Sequence, residues 1–442
     1  MSILEKALNM LTTHPLCDDC LGRQFALLGH GVENRKRGET IKLLLTMEAN
    51  DTLLRNDEAG EDILRKIAGH GSFEMAHKIL TRFGRKAPSK RRCYLCEGKC
   101  KSVIGLAKKA VGETKNHEFS TFLVGIELPL EIAEREDEFK ARFEVSSGES
   151  IKSQMSRVIG KKIERTTGKS VDFKKPDVAL IINPFTSDFK LQINPLYISG
   201  RYRKLVRGIP QSRWLCRECD GRGCGSCNWT GKRFQESVEE LIGKPIQKTL
   251  DGEEIAFHGA GREDVDVRML GSGRPFVLEV KRPRKRWIDL EKLERTINRV
   301  AKGKVAVSEL RFADKDLVRQ LKKAESAEKS YRVLIEFERD VANEELKKVE
   351  EILSHTIIHQ QTPKRVLHRR ADLIREKYIY KAEVKKVSPN YAEMQIHCQG
   401  GLYIKELVTG DEGRTHPSVS EILTMNAKPM ELDVLKVIAG VN

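Results

Sequence analysis

The stretch HGAGREDVDVRMLGSGRPFVLEV, residues 258–280, decides how the C-terminal half of this chain is built. Asp264 follows a flexible Gly259-Ala260-Gly261 and an Arg262-Glu263 pair. It opens a run that alternates as a strand does, with Val265, Val267 and Met269 on one side and Asp266 and Arg268 on the other. Gly271-Ser272-Gly273-Arg274 reads as a tight turn into a second strand, PFVLEV, and Ser388-Pro389-Asn390 separates YKAEVKKV from YAEMQIHC in the same way. Strands joined by tight turns run antiparallel. The fold class expected is therefore α+β, with a mixed, mainly antiparallel sheet flanked by helices rather than a doubly wound parallel one. An acid in a glycine-flanked loop is either a turn residue or a carboxylate presented to a ligand, and local chemistry leaves both open.

Working outward, helical patterns such as ESVEELIG, RWIDLEKLERTINRV, KDLVRQLKKAE and NEELKKVEEILS alternate with strands that include YRVLIEFE. Toward the N-terminus, residues up to about 115 are helical in pattern and basic. Residues 119–200 are mixed: TFLVGIEL, PDVALIIN and FKLQINPLYI read as strands, and Ile151, Met155, Val158 and Ile159 share one helical face. The expected division is residues 1–214 as an accessory region, 215–235 as a cysteine-rich insertion and 236–442 as a second domain, in line with a chain of 442 residues.

The chain carries 80 Lys+Arg against 64 Asp+Glu, a formal +16, which suits a polyanionic partner. The run GRYRKLVRGIPQSRW, residues 200–214, interleaves cations with aromatics, and KRPRKR at 281–286 would repel itself into an extended segment without a polyanion. No apolar run approaches the roughly 20 residues needed to span a bilayer, so no signal peptide or membrane segment is read and a cytoplasmic, reducing location is expected. In that setting the close cysteine pairs read as metal ligands. Cys216, Cys219, Cys224 and Cys227 form C-x2-C-x4-C-x2-C, a closed four-thiolate site for structural zinc. Cys17 and Cys20 can join Cys93 and Cys96 across the helices between them for a second zinc, with Cys100 as a spare ligand and Cys398 as a core residue. There is no GxxxxGK[ST] loop and no GxGxxG after a strand, so nucleotide and methyl-donor readings lack their usual handholds.

Without a cofactor motif, chemistry falls to side chains. Asp264 is the candidate carboxylate. Lys405, in the expected strand GGLYIKELVTGD, interrupts Leu402, Ile404 and Leu407, and an inward Lys needs a carboxylate partner. Tyr331 shares a strand face with Val333, Ile335 and Phe337 and is either a core tyrosine or a ring that stacks on an extruded base.

HGAGREDVDVRMLGSGRPFVLEV resembles the catalytic loop of pseudouridine synthases, and QGGLYIKELVTGDEGRTHPSV looks like their later motif, which carries the basic partner of the Asp. Together with GRYRKLVRGIPQSRW, QTPKRVLHRR and the N-terminal cysteine pairs, the chain resembles, from about residue 15 to 425, the archaeal-type tRNA pseudouridine synthases with an N-terminal THUMP-containing domain, the Pus ten family. The resemblance implies a THUMP-like segment at about 50–200 and a catalytic domain at 236–442. It implies that Asp264 is the catalytic carboxylate, Tyr331 the active-site aromatic and Lys405 the basic partner. Arg262 would fill the space that an Arg occupies in relatives, or hold the flipped nucleotide's phosphate.

The implied substrate is tRNA, at uridine 55 and also 54 of the TΨC arm, with zinc and no organic cofactor, by a monomer that needs no protein partner. Residues expected on the RNA are Arg201, Arg203, Lys204, Arg207, Arg282, Arg284, Arg286, His368, Arg369, Arg370, Tyr331 and Tyr403. The rival reading is a zinc-containing tRNA-binding protein or RNA chaperone without the chemistry.

Overall fold

The computed structural model describes residues 2–323 and 327–438, and the chain forms two compact units, Met1–Asn194 and Pro195–Asn442. In the first unit, helices from Ile3–Thr13 to Lys99–Glu113 precede a four-stranded sheet of β1 (Thr121–Ile126), β2 (Ser170–Val171), β3 (Val178–Asn183) and β4 (Asp188–Ile193), ordered β2-β1-β3-β4. Strand β1 buries every second residue, Phe122, Val124 and Ile126. The helix Ile151–Thr167 starts where Ser150 accepts a hydrogen bond from the Ser153 amide and ends at Gly168, whose φ of 69° only glycine adopts cheaply. It buries Met155, Ile159 and Ile163, one helical turn apart, in the same core as the strand.

The second unit is built on a ten-stranded sheet. Its strands are β5 (Leu196–Lys204), β6 (Glu254–Gly259), β7 (Arg268–Lys281), β8 (Val305–Ala313), β9 (Glu328–Phe337), β10 (Thr356–Gln361), β11 (Ile374–Ser388), β12 (Tyr391–Cys398), β13 (Thr415–His416) and β14 (Ala427–Ile438). They run β13-β10-β11-β12-β9-β14-β7-β5-β8, with β6 also on β7. Only β7 and β14 pair in parallel, so the sheet is mixed and mainly antiparallel as expected. The Ser388-Pro389-Asn390 turn does join the antiparallel pair β11 and β12.

Three expectations change. FKLQINPLYI is not one strand: it divides at Asn194 and Pro195 into β4 and β5, which belong to different sheets. The boundary between the units therefore falls there rather than at 214, and the basic run 200–214 belongs to the second unit. Gly271-Ser272-Gly273 is not a hairpin turn. It is a kink within one long strand: β7 pairs antiparallel with β5 on both sides of it (Lys204 with Met269, Tyr202 with Arg274), its parallel rungs with β14 (Asp433 with Arg268, Val434 with Met269) lie before it, and its pairing with β6 lies after it. Gly271 has a φ of 55°, and a Cβ there would lie 2.0 Å from the Leu435 carbonyl oxygen, so the kink demands glycine. Lys405 is not in a strand. Gly401, with a φ of 92°, turns the chain after β12, and Lys405 sits in the first turn of the helix Ile404–Thr409, where Ile404, Leu407 and Val408 are buried at helical spacing.

No helix among the described residues is long and apolar enough to cross a membrane.

Candidate active site and metal centres

The loop before β7 is held from below by buried polar groups. Glu263, 4% exposed, accepts from the Tyr202 hydroxyl at 2.9 Å, and Gln211 donates to Tyr202 at 2.7 Å and to the Gly261 carbonyl at 2.9 Å. The Arg274 guanidinium lies 2.9 Å from Glu263 as an ion pair rather than an aligned hydrogen bond, and it donates to the Ala260 carbonyl at 2.7 Å. Lys204, without solvent exposure, donates to the carbonyls of Ile209 and Asp264 at 2.9 Å and of Val265 at 3.1 Å. Burial pushes its ammonium down to about 8, partly offset by the nearby charges of Glu263 and Asp266. Removing either member of the buried Glu263 and Arg274 pair would strand the other's charge, so the pair fixes the loop.

With Glu263 turned inward, Asp264 is turned outward, its side chain 39% exposed. Two cations from distant parts of the chain, Arg365 and Lys405, reach it. Arg365 places Nη1 3.0 Å from Asp264 Oδ2 and donates from Nε to buried Glu406 at 2.6 Å. Lys405 lies 3.7 Å from the same Asp264 oxygen but 2.6 Å from Asp266. Burial disfavours charge on Asp266, yet the bond and the charge from Lys405 hold its carboxyl below the usual range. The Arg365 guanidinium also sits 5.8 Å from the Tyr403 ring centre, and Tyr403 is fixed through its backbone by Gln360, which donates to its carbonyl at 3.0 Å and accepts from its amide at 2.8 Å. Tyr331 on β9 shares a rung with Val434, which pairs in turn with Met269 at the start of β7. Burial pushes its phenol far above the usual range, so it stays protonated and can donate but not act as a phenolate at neutral pH.

A second buried carboxylate braces the loop from the other side. Asp433, 2% exposed, takes Arg268 at 2.8 Å, Arg207 at 2.8 Å and Arg332 at 2.7 Å, and Arg207 also donates to the carbonyls of Asp266 at 2.9 Å and Leu432 at 2.7 Å. Burial opposes its charge, but these arginines keep the carboxyl below the usual range.

The basic run 200–214 thus faces inward more than expected. Lys204 and Arg207 clamp the loop, and Arg201 donates to the carbonyls of Ser272 at 2.6 Å and Gly273 at 2.9 Å at the β7 kink. Buried Lys204 has no surface to offer a phosphate, while Arg203 is exposed. Arg262 does not fill a space beside Asp264. Its guanidinium lies over the Trp214 ring, 5.3 Å from the centre, and Arg365 supplies the guanidinium instead. In KRPRKR, Arg282 and Arg284 are exposed and pair with Glu253 and Asp251, whereas Arg286 is buried. His368 and Arg370 are exposed, and the side chain of Arg369 lies outside the described residues.

Both cysteine sets assemble. The sulfurs of Cys17, Cys20, Cys93 and Cys96, and those of Cys216, Cys219, Cys224 and Cys227, each lie within 4.8 Å of one another. Contacts of 3.6 Å between Cys17 and Cys96, and of 3.9, 3.9 and 3.7 Å in the second set, match the edge of about 3.8 Å that a tetrahedral ion with Zn–S near 2.3 Å requires. All ten cysteines are free thiols. The residues fit structural zinc in both places, with no position left for a substrate. Cys100 is buried but stands outside the set of four. Cys398 is fully buried, and burial pushes its thiol up to about 12, as suits an inert core residue.

Residues 197–438 match the family described as Pus10, C-terminal, and residues 106–183 the Pus10 THUMP domain, archaeal. The tRNA pseudouridine synthase Pus10 of Methanothrix thermoacetophila is 44% identical over 98% of this chain and 94% of that one. Its namesake from Methanocaldococcus jannaschii is 45% identical over 97% and 93%. The chain belongs to the Pus10 family of tRNA pseudouridine synthases. Among solved structures, a Cbf5-Nop10-Gar1 complex is similar at 17% identity and a TM-score of 0.29 over 45% of each chain, a likeness too loose to build on.

Within this Pus10-family chain, the matched THUMP segment is narrower than the 50–200 expected. Sequence reasoning missed three residues of the site: Glu263, Arg365 and Glu406. The signal for Arg365 lies in QTPKRVLHRR, whose HRR end is the denser cationic cluster.

Proposed function

We propose that this chain isomerises uridine to pseudouridine at position 55, and also 54, of the TΨC arm of tRNA, with Asp264 as the nucleophile. The carrying observation is the Asp264 carboxylate, 3.0 Å from Arg365 and 3.7 Å from Lys405, on a loop held from beneath by buried Glu263, Arg274 and Lys204. The target uridine leaves its stack and enters this cleft, at a cost offset by pocket contacts. Its N1–C1′ bond breaks, the uracil turns, and C5 bonds to C1′. The hydrogen at C5 leaves as a proton and N1 ends with one, so no redox partner or energy source is consumed. Asp264 serves the bond exchange, Lys405 and Arg365 hold it, and protonated Tyr331 packs on the base. The THUMP-matching segment takes the acceptor region of the tRNA, and the exposed Arg203, Arg282, Arg284, His368 and Arg370 meet backbone phosphates. Both cysteine sets hold structural zinc, which stiffens the surfaces that meet the RNA.

Incubation with an unmodified tRNA transcript, followed by mapping of every pseudouridine, tests the reading: product at 55 and 54 supports it, and a transcript that stays unmodified overturns it. Elemental analysis is expected to return about two zinc ions per chain, and Cys216→Ser about one. The pH profile carries a further expectation. Burial holds the folded-state Lys204 ammonium near 8 while the unfolded chain keeps an ordinary lysine, so above about pH 8 the folded state binds fewer protons and its stability rises with pH toward the ordinary lysine range. Resistance to denaturant should therefore rise above about pH 8 in the wild-type chain by more than it does in Lys204→Met. A stability difference between wild type and Lys204→Met that does not change with pH above about 8 would contradict the assignment.

A further inference from the structure

The zinc knuckle displays one residue that neither folding nor the proposed chemistry uses. Trp229 is 78% exposed, although burying an indole is among the larger gains a fold can make. Its backbone is nonetheless tightly held. Its amide donates to the Cys224 carbonyl at 2.9 Å, and its carbonyl packs so closely on Gly223 that a Cβ there would stand 2.9 Å away. Asn228 and Trp229 both adopt left-handed conformations, with φ of 49° and 61°. Asn tolerates that region, but a bulky aromatic pays strain for it, and Gly or Asn would make the same turn without the cost. A side chain kept in an unfavourable backbone state with its ring in water points to a contact made outside the chain.

The surroundings say what kind of contact. Residues 213–233 hold Arg213, Arg217, Arg222, Lys232 and Arg233 against Glu218 and Asp220. The knuckle closes where the Arg233 amide donates to the Trp214 carbonyl at 3.0 Å and Leu215 bridges Lys232. At that closure the guanidiniums of Arg233 and Arg262 both lie over the Trp214 ring, each 5.3 Å from its centre. Arg262 stands two residues before Asp264. The exposed indole is therefore carried on a cross-linked module whose base rests on the catalytic loop, among cations that suit a phosphate backbone.

We propose that Trp229 is a stacking platform for an unpaired base of the RNA that enters the active site, with the knuckle's cations holding the adjoining phosphates. Every base offers a π-face to such a ring, so the contact adds affinity without reading sequence. The inference rests on the proposed RNA substrate and adds a site outside the reacting groups.

The test uses the full chain loaded with zinc and two probes, an unmodified tRNA transcript and an oligouridylate about ten nucleotides long. Trp229→Ala should weaken transcript binding roughly five- to a hundredfold, and Trp229→Phe should restore most of it. The chain has three tryptophans, so quenching of intrinsic fluorescence by the oligouridylate is assignable. It should persist in Trp287→Phe and disappear in Trp229→Phe. Unchanged zinc content in the Trp229 variants excludes loss of the knuckle as the cause. Transcript affinity within twofold of wild type in Trp229→Ala, or quenching that survives Trp229→Phe, overturns the proposal. Asp264→Asn separates it from the reading beneath it: that variant should bind and quench as wild type does while forming no pseudouridine. A wild-type chain that quenches and binds but modifies nothing sinks the catalytic reading and leaves the stacking site standing.

Discussion

Asp264→Asn is expected to reduce pseudouridine formation by about 10^4-fold or more, because the isosteric amide keeps the shape and loses the carboxylate charge that the proposed attack requires. The protein itself should be little disturbed. The side chain is 39% exposed, and ion pairs of that kind contribute at most about 1 kcal/mol to stability. The loop's position depends instead on Glu263, Lys204 and Arg274, which the substitution leaves in place. Circular dichroism and transcript binding should match wild type while single-turnover conversion vanishes. Conversion within tenfold of wild type would remove Asp264 from the chemistry and favour a different reacting group.

Arg365→Ala should lower turnover about 10- to 100-fold at saturating tRNA, the scale of one lost hydrogen bond to a charged group. Arg365 holds Asp264 at 3.0 Å and is itself held by buried Glu406 at 2.6 Å, so it acts through Asp264 as a positioning residue. Lys405 stands closer to Asp266 than to Asp264, at 2.6 against 3.7 Å, and cannot reproduce a planar fork. A partial rescue by Arg365→Lys, with KM changed less than kcat, would support this division of labour. An effect confined to KM would make Arg365 a phosphate contact instead, and the direct pair with Asp264 incidental.

Glu406 has one carboxylate oxygen buried without a partner. A guanidinium pinned on one side to such a group has little freedom to leave Asp264, which is why its loss should show in turnover rather than in affinity.

The parts of this fold that were legible were those set by local spacing. Period-two burial in β1 and β9, helical spacing in Ile151–Thr167 and the turn at Pro389 follow from nearest neighbours along the chain. Glycine at 271 serves a hairpin turn and a kink within a strand equally well, and only the Leu435 carbonyl pressing on it distinguishes them. Leu402, Ile404 and Leu407 are too few to separate a strand from a helix, and the turn at Gly401 settled the matter. In β5, alternation places Lys204 on the same face as Tyr202, but it does not say that β7 and β8 flank the strand and leave that face dry.

The sequence by itself determined the chemistry available: a carboxylate in a glycine-rich loop, two sets of four thiolates, a cationic surface and no nucleotide handhold. Those depend on residue type and short spacings, except that only the fold could bring Cys17 and Cys20 to Cys93 and Cys96. Tertiary structure alone decided which groups meet. Arg365 rather than Arg262 reaches Asp264, Lys405 divides its charge between Asp266 and Asp264, and a run of cations turns inward to clamp the loop. Each of these contacts joins residues far apart in the chain, and whether a charge is spent on solvent, on RNA or on a buried carbonyl is settled by what packs over it.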